Sequence, residues 1–335
     1  MLGSMIRWID ITLHPGWYHG SGKRPPFFEG WYYKLITADR ARRYAVIPGI
    51  FLSDDPARHH AFIQVFDGMS GHATYHRYPP EAFYAASGAF DVRIGSSRFR
   101  INQIDLDIDD ERRRVKGTLN FGEGRGWPVT VPSPGVMGWF GWVPIMECYH
   151  GVLRFDHMIT GSLDVDGETL NFSGGRGYIE KDWGKSFPAG WVWMQSNHFR
   201  QQGLSFSASI AIVPSPLGWF PGFLAGVWMD GNFHRFATYT GAKVVKLEVS
   251  DQRVLWAMQD GKQRLEIYGM RGESTVLPGP TRLEMGARVP ETLKSNIHLC
   301  LTDLNTRKVI LDDTGECAGL EVAGDISRLV KAVSP

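Results

Sequence analysis

The chain has 335 residues, 36 Lys and Arg against 35 Asp and Glu, and a formal net charge of +1 at pH 7. That length is long for one core and comfortable for two domains of ordinary size, and a balanced charge without a basic block argues against a nucleic-acid partner. Three cysteines, Cys148, Cys300 and Cys317, are too few and too scattered for a disulfide framework or a zinc site, so buried thiols in a reducing, cytoplasmic setting are the expectation.

The first ten residues carry neither a basic n-region nor an apolar h-region, so no export signal is expected. Short runs rich in aromatic and β-branched residues then recur. Among them are 30–36 (Gly-Trp-Tyr-Tyr-Lys-Leu-Ile), 61–66, 97–101, 115–121 and 157–163. Asp67-Gly68, Asp109-Asp110, Asp166-Gly167, Asp230-Gly231 and Asp260-Gly261 punctuate the chain at hairpin spacing. Helical periodicity is scarcely visible; even 242–255, which holds some helix formers, carries Val244, Val245, Val249 and Val254 and so reads as strand. The expectation is all-β, with antiparallel sheets closed or nearly closed into barrels. A weak echo, Phe28-Glu-Gly-Trp against Ile179-Glu-Lys-Asp-Trp, suggests two similar β-domains. Their boundary is expected at Gly174-Gly175, giving domains 5–173 and 174–335.

Residues 122–144 are loaded with Gly, Pro and Trp. They are too broken for a long strand and too apolar for a solvated linker, and read either as a loop folded over a barrel mouth or inter-domain crevice, or as a surface loop pinned by its indoles. Residues 174–199 are the densest stretch. Glu180 and Asp182 sit beside Tyr178 and Trp183, and an alternating strand follows that places Trp191, Trp193, Gln195 and Asn197 on one face. With Trp31 and Tyr33 these residues are expected to border one apolar pocket that holds a hydrophobic small molecule. Further on, Pro214, Pro216, Gly218, Pro221 and Gly222 interrupt the apolar run 204–229, so it falls short of the ~20 residues of a spanning helix. Its tip, Leu217 to Leu224, either packs on its own barrel or makes peripheral contact with a membrane surface.

Nucleotide-binding fingerprints and a Gly-x-Ser-x-Gly elbow are absent. His72 and His76, near His59 and His60, fall on loop and strand rather than on one helix face, so no metal is expected there, nor any cofactor. What remains is a set of acids and histidines among aromatics: Glu29, Glu180, Asp182, and His150 and His157 in the segment that follows Glu147. Taken singly, each carboxylate is accounted for by a salt bridge to Arg24, Lys34, Arg176 or Lys181, and each histidine by a core hydrogen bond. Taken together they point to a site.

The run Tyr178-Ile-Glu-Lys-Asp-Trp-Gly184, with Phe187-Pro188 and Trp191-Val-Trp-Met-Gln-Ser-Asn197 after it, resembles the signature of the tocopherol cyclase family. Segments 27–34, 61–66, 147–163 and 309–312 agree in order and spacing, and the match thins after Cys300. The resemblance implies two lipocalin-like antiparallel β-barrel domains, as in related carotenoid hydratases. It further implies a cofactor-independent isomerase that protonates the alkene of a prenylated phenol or hydroquinone and closes a chromanol ring. On that reading Glu180 is the proton donor, Asp182 on the same face keeps one carboxyl protonated, Glu29 is the runner-up, and His150 or His157 positions or deprotonates the phenol. The alternatives are a non-catalytic carrier of a hydrophobic ligand and an alkene hydratase. Buried acids speak against a carrier of a neutral lipid, because burying an unpaired carboxylate costs several kcal/mol.

Overall fold

A computed structural model describes residues 2–333. The chain divides into two compact units, residues 1–187 with 278–286, and residues 188–277 with 287–335.

In the first unit a meander of four strands, β1 (Phe27–Ile36), β2 (Arg43–Leu52), β3 (His60–Asp67) and β4 (Ala73–Tyr78), forms one end of an antiparallel sheet. The strand Arg176–Gly184 lies beside β1, followed in space by Cys148–Val165, Arg114–Phe121 and Gln103–Asp109, and then by three short strands that end at Phe83–Ala85. The sheet curls about one apolar core, to which Trp31, Tyr33, Val46, Ile63, Phe99, Leu106, Leu119 and Ile179 contribute from strands all along its path. Alternation explains this core: on β1, Phe27, Trp31, Tyr33 and Leu35 point inward, while Phe28 joins Phe51 and Phe62 in a small cluster on the outer face.

The second unit repeats the plan. Strands Gly190–Ser196, Ser205–Ser215, Gly218–Met229 and Asn232–Ala237 form the meander, and the late strand Val309–Gly324 lies beside the first of them. Its core includes Val192, Met194, Phe206, Ile210, Trp256, Leu299 and Leu320. Both units are therefore lipocalin-like antiparallel β-barrels.

Two hairpins show the turn chemistry read from the sequence. Asp166-Gly167 has φ of 54° and 89°, and Asp230-Gly231 has 50° and 76°, the paired left-handed values of a two-residue turn. Residues 242–255 are strand and turn, as their valines predict. The Leu217 tip is a turn between two strands; Leu217 is fully exposed and the Arg328 guanidinium covers Trp219 at 4.2 Å.

Two expectations are corrected. The division between residues 173 and 174 does not hold, because Arg176–Gly184 is hydrogen-bonded between β1 and Cys148–Val165 in the first unit; residues 334 and 335 of the expected second domain lie outside those described. Gly174-Gly175 is instead a tight turn, where Gly174 has φ of 84° and a Cβ on Gly175 would lie 2.1 Å from the Ile36 carbonyl. Secondly, the echoing segments Phe28-Glu-Gly-Trp and Ile179-Glu-Lys-Asp-Trp do not open two barrels; they pair side by side in one sheet, with Glu29 opposite Trp183. Each unit also carries one short helix, within the low helix content expected. Helix α1 (Leu2–Leu13) exposes Met5, Ile6 and Trp8, and α2 (Ile326–Val333) is capped by Asp325 and buries Leu329.

Residues 122–144 lie in the first unit, with Trp127 buried and Trp139 half exposed. They contain a two-residue hairpin and a 3₁₀ segment, Gly135–Trp142, whose Trp142 meets Trp8 of α1 edge-on at 5.0 Å. Trp127 is buried against Phe155.

Candidate active site

Strand Arg176–Gly184 sends alternate side chains to opposite faces of its sheet. Ile179 and Trp183 belong to the barrel core, so Lys181 between them also points inward, and Tyr178, Glu180 and Asp182 share the outer face. On the neighbouring strand His150 stands directly opposite Asp182. Two clusters of titratable groups result, back to back on one strand.

The outer cluster joins His150, Glu180 and Asp182. His150 Nδ1 lies 2.9 Å from Asp182 Oδ1, and its Nε2 lies 3.5 Å from Glu180 Oε2. Tyr178 donates its hydroxyl proton to the same Glu180 oxygen. The Glu180 side chain is buried, that of His150 is half-buried and that of Asp182 is 26% exposed, so Asp182 marks the open edge. Burial alone would lower the imidazole pKa, but the carboxylates of Asp182 and Glu180 outweigh it and raise His150 to about 9. At neutral pH His150 is therefore an imidazolium. It pairs with Asp182 while its Nε2 makes no conventional hydrogen bond. Ligand atoms of the three side chains lie within 4.8 Å of one another, and one histidine with two carboxylates is also a donor set for a divalent cation. Such an ion needs the neutral imidazole and must compete with the proton.

The inner cluster joins Glu29, Lys181 and His19. Glu29 and Lys181 have no solvent exposure and pair at 2.6 Å. The His19 backbone N–H donates to both Glu29 oxygens, at 3.0 and 2.9 Å. Burial would raise the Glu29 pKa, but the Lys181 ammonium and His19 together outweigh it and hold the carboxyl below its ordinary range. Burial lowers Lys181 to about 8 against the pull of Glu29. The ammonium also donates to the Trp17 carbonyl and sits over the rings of Trp183 and Trp31, at 4.7 and 5.1 Å.

This arrangement redistributes the residues singled out from the sequence. Glu180, Asp182, His150 and Tyr178 come together. Glu29 does not join them; it is paired with Lys181 in the barrel interior. The salt-bridge role considered for Lys181 thus falls on Glu29, while Glu180 faces His150. His157 is also apart. It lies inside the barrel with its ring 4.6 Å from Phe121, and neither ring nitrogen has a hydrogen bond. Burial, aided by the Arg154 cation, lowers its pKa to about 3. Trp31 and Tyr33 are core residues tied to backbone carbonyls, Trp31 to Gly16 at 3.3 Å and Tyr33 to Arg100 at 3.0 Å. Trp183, also in that core, stacks on Tyr149 at 5.4 Å.

Trp191, Trp193, Gln195 and Asn197 belong to the second unit. The inward face of their strand is Val192 and Met194, not the indoles, because the apolar aliphatic side chains fill the barrel. Trp191 donates to Glu321 at 2.6 Å beneath the Arg288 guanidinium, and His198 Nδ1 lies 2.8 Å from Asn197 Oδ1. Gln195 is fully buried with neither amide atom hydrogen-bonded. Trp31, Tyr33 and Trp183 thus belong to the core of the first unit, and Trp191 and Trp193 to the outer face of a strand of the second. His19 is the residue that the sequence did not announce; it lies in an irregular stretch ten positions before Glu29, where no periodicity marks it.

The family model described as tocopherol cyclase-like matches residues 114–324, a span that contains His150, Glu180 and Asp182. The chain is 30% identical, over 373 aligned positions, to a probable chloroplastic tocopherol cyclase of Oryza sativa subsp. japonica, covering 93% of this chain and 78% of that protein. It is 31% identical over 217 positions to the chloroplastic tocopherol cyclase of Zea mays, covering 59% of this chain and 44% of that protein. Among solved structures, CghA crystallised with Sch210972 superposes with a TM-score of 0.55 at 12% identity, covering 90% of this chain and 89% of CghA, a likeness of fold. The motif on the central strand, the span of the family model and the rice relative agree, and the chain belongs to the tocopherol cyclase-like family.

Proposed function

We propose that this chain is an isomerase that closes a chromanol-type ring on a prenylated phenol or hydroquinone by general-acid catalysis at Glu180. The observation that carries the reading is the outer cluster: two carboxyl groups, one imidazolium and one tyrosine hydroxyl in contact on a largely buried sheet face. An alkene is a weak base, and an imidazolium held at a pKa of about 9 is a poor acid for it. A carboxylic acid is the stronger donor. In the reacting form we assign the proton to Glu180, because His150 is already paired with Asp182.

In the forward step Glu180 transfers that proton to the less substituted alkene carbon and leaves a tertiary cation. The Glu180 carboxylate so formed is stabilised by the Tyr178 hydroxyl and by the His150 cation. The phenol oxygen then bonds to the cation and its proton returns to Glu180. Nothing is added or lost, so substrate and product are isomers.

The test is turnover of a prenyl hydroquinone in D₂O. One deuterium should appear on the carbon that was protonated, and Glu180→Gln should slow turnover by ~10²-fold or more while ligand binding, followed by tryptophan fluorescence, survives. Recovery of unchanged ligand from the native protein would instead indicate a carrier, and a tertiary alcohol would indicate a hydratase. Loss of activity on treatment with a chelator would transfer the His150, Glu180 and Asp182 set from proton to metal chemistry.

A further inference from the structure

A cavity of about 350 Å³ lies at the mouth of the first barrel, on the face of the central strand opposite the Glu180 cluster. That volume is at the lower end of the ~300–1,000 Å³ range of small-molecule sites. Helix α1 contributes Trp8 and Ile11, the 3₁₀ segment contributes Met137, and Met146, Tyr149 and Trp183 complete an apolar wall.

Two polar features break that wall. The first is His19. It is 8% exposed, stacks on Trp183 at 4.1 Å and lines the cavity. Its Nδ1 lies 2.8 Å from the Lys181 ammonium, which can only donate, so the ring proton of neutral His19 resides on Nε2. Nε2 makes no hydrogen bond among the described residues. The second is the rim. Arg7, Lys23, Arg24 and Lys185 line the cavity together with no acidic side chain, and none of the four forms an ion pair among the described residues. In a molecule whose net charge is +1, four unpaired cations around one opening are a local field that attracts an anion.

We propose that this cavity is a second ligand site, for an anionic amphiphile. The acidic head is held by the basic rim, with the Nε2 proton of His19 available to an oxygen where a ligand carries one further in, and the apolar body lies between Trp8, Met137 and Trp183. The site does not depend on the reaction proposed at Glu180, whose side chain points to the opposite face of the same strand.

Dodecanoate below its micellar concentration is a suitable probe, followed by calorimetry and tryptophan fluorescence on the full chain. Saturable one-to-one binding is expected. Lys23→Glu combined with Arg24→Glu, both exposed and outside the core, should weaken it about tenfold or more. Met137→Trp should fill the cavity and abolish it, with Ile11→Trp as the substitute if the first variant fails to fold. Dodecanol, without the charge, should bind about tenfold more weakly or worse. Glu180→Gln should bind dodecanoate as the native protein does, which separates this site from the catalytic one. No saturable binding, binding that survives both the rim reversal and the filled cavity, or equal binding of dodecanol would overturn the proposal. So would adhesion to phosphatidylglycerol vesicles that Met137→Trp leaves intact without uptake of free dodecanoate, because the basic rim would then serve a bilayer surface and not a cavity.

Discussion

At the level of single residues, two histidines from one strand have opposite fates, and the difference is company. His150 faces two carboxylates and is raised to about 9, whereas His157 faces Phe121 and the Arg154 cation and is lowered to about 3. Each makes a prediction. If His150 must stay protonated to stabilise the Glu180 carboxylate, kcat/KM should fall as pH rises through about 9. Asp182→Asn removes one of the anions that raise it, and should move this alkaline limb to lower pH; an unmoved limb would mean that another group sets it. For His157 the sign runs the other way. Between pH 6.5 and about 3 the unfolded chain binds a proton at this position that the native state refuses, so stability is lost as pH falls through that window, by about 1.4 kcal/mol per pH unit for this one group. His157→Leu should flatten the urea midpoint between those limits and leave turnover intact, since the ring has no hydrogen bond to lose. An unchanged slope would show that His157 is protonated in the native protein.

At the level of the element, the strand Arg176–Gly184 sorts its charges by parity. This much was legible in the sequence: alternation puts Glu180 and Asp182 on one face, and the resemblance already drew attention to His150. What alternation does not reveal is which face is the barrel interior. The mixture of indoles and amides at 191–197 suggested that those side chains point inward, but Val192 and Met194 are better filling for a barrel and take that place. Nor does a sequence show that Lys181 reaches inward to Glu29, because their contact depends on β1 and the central strand pairing with Trp31 opposite Lys181. The pair is fully buried, and removing one partner strands the other. Lys181→Met should therefore cost about 3–5 kcal/mol. The double variant Lys181→Met with Glu29→Gln should recover most of the loss in urea unfolding, because a neutral amide still accepts the His19 N–H. If the double variant is no more stable than Lys181→Met, the cost arises from packing around Trp31 and Trp183, not from the stranded charge.

At the level of the whole molecule, the repeat is one of topology: each unit is a four-strand meander with a late strand of its sequence placed beside the first. Antiparallel β-structure and hairpin turns were readable from alternation and from Asp-Gly pairs. The units themselves were not, since a strand is assigned to a sheet by its partners, and one partner of Arg176–Gly184, β1, lies at the far end of the first unit's sequence. The same holds for residues 278–286, which belong to the first unit although ninety residues separate them from Phe187. Their bonds are specific: Gln64 donates to the Pro278 carbonyl at 3.1 Å, Ser53 to that of Leu283 at 2.9 Å, and the Phe187 N–H to that of Pro280 at 3.1 Å. Gln64 and Ser53 are buried, so deleting this segment leaves polar groups without their partners and uncovers Phe28 and Phe62, which pack beneath Met285. Each group left unsatisfied costs about 1–3 kcal/mol where water cannot reach it. A fragment of residues 1–187 should therefore unfold at a lower urea concentration than the same fragment carrying residues 278–286 on a flexible Gly-Ser linker, and should bind more of a hydrophobic dye. Equal midpoints for the two would show that the first barrel is complete by Phe187 and that the returning segment only rests on it.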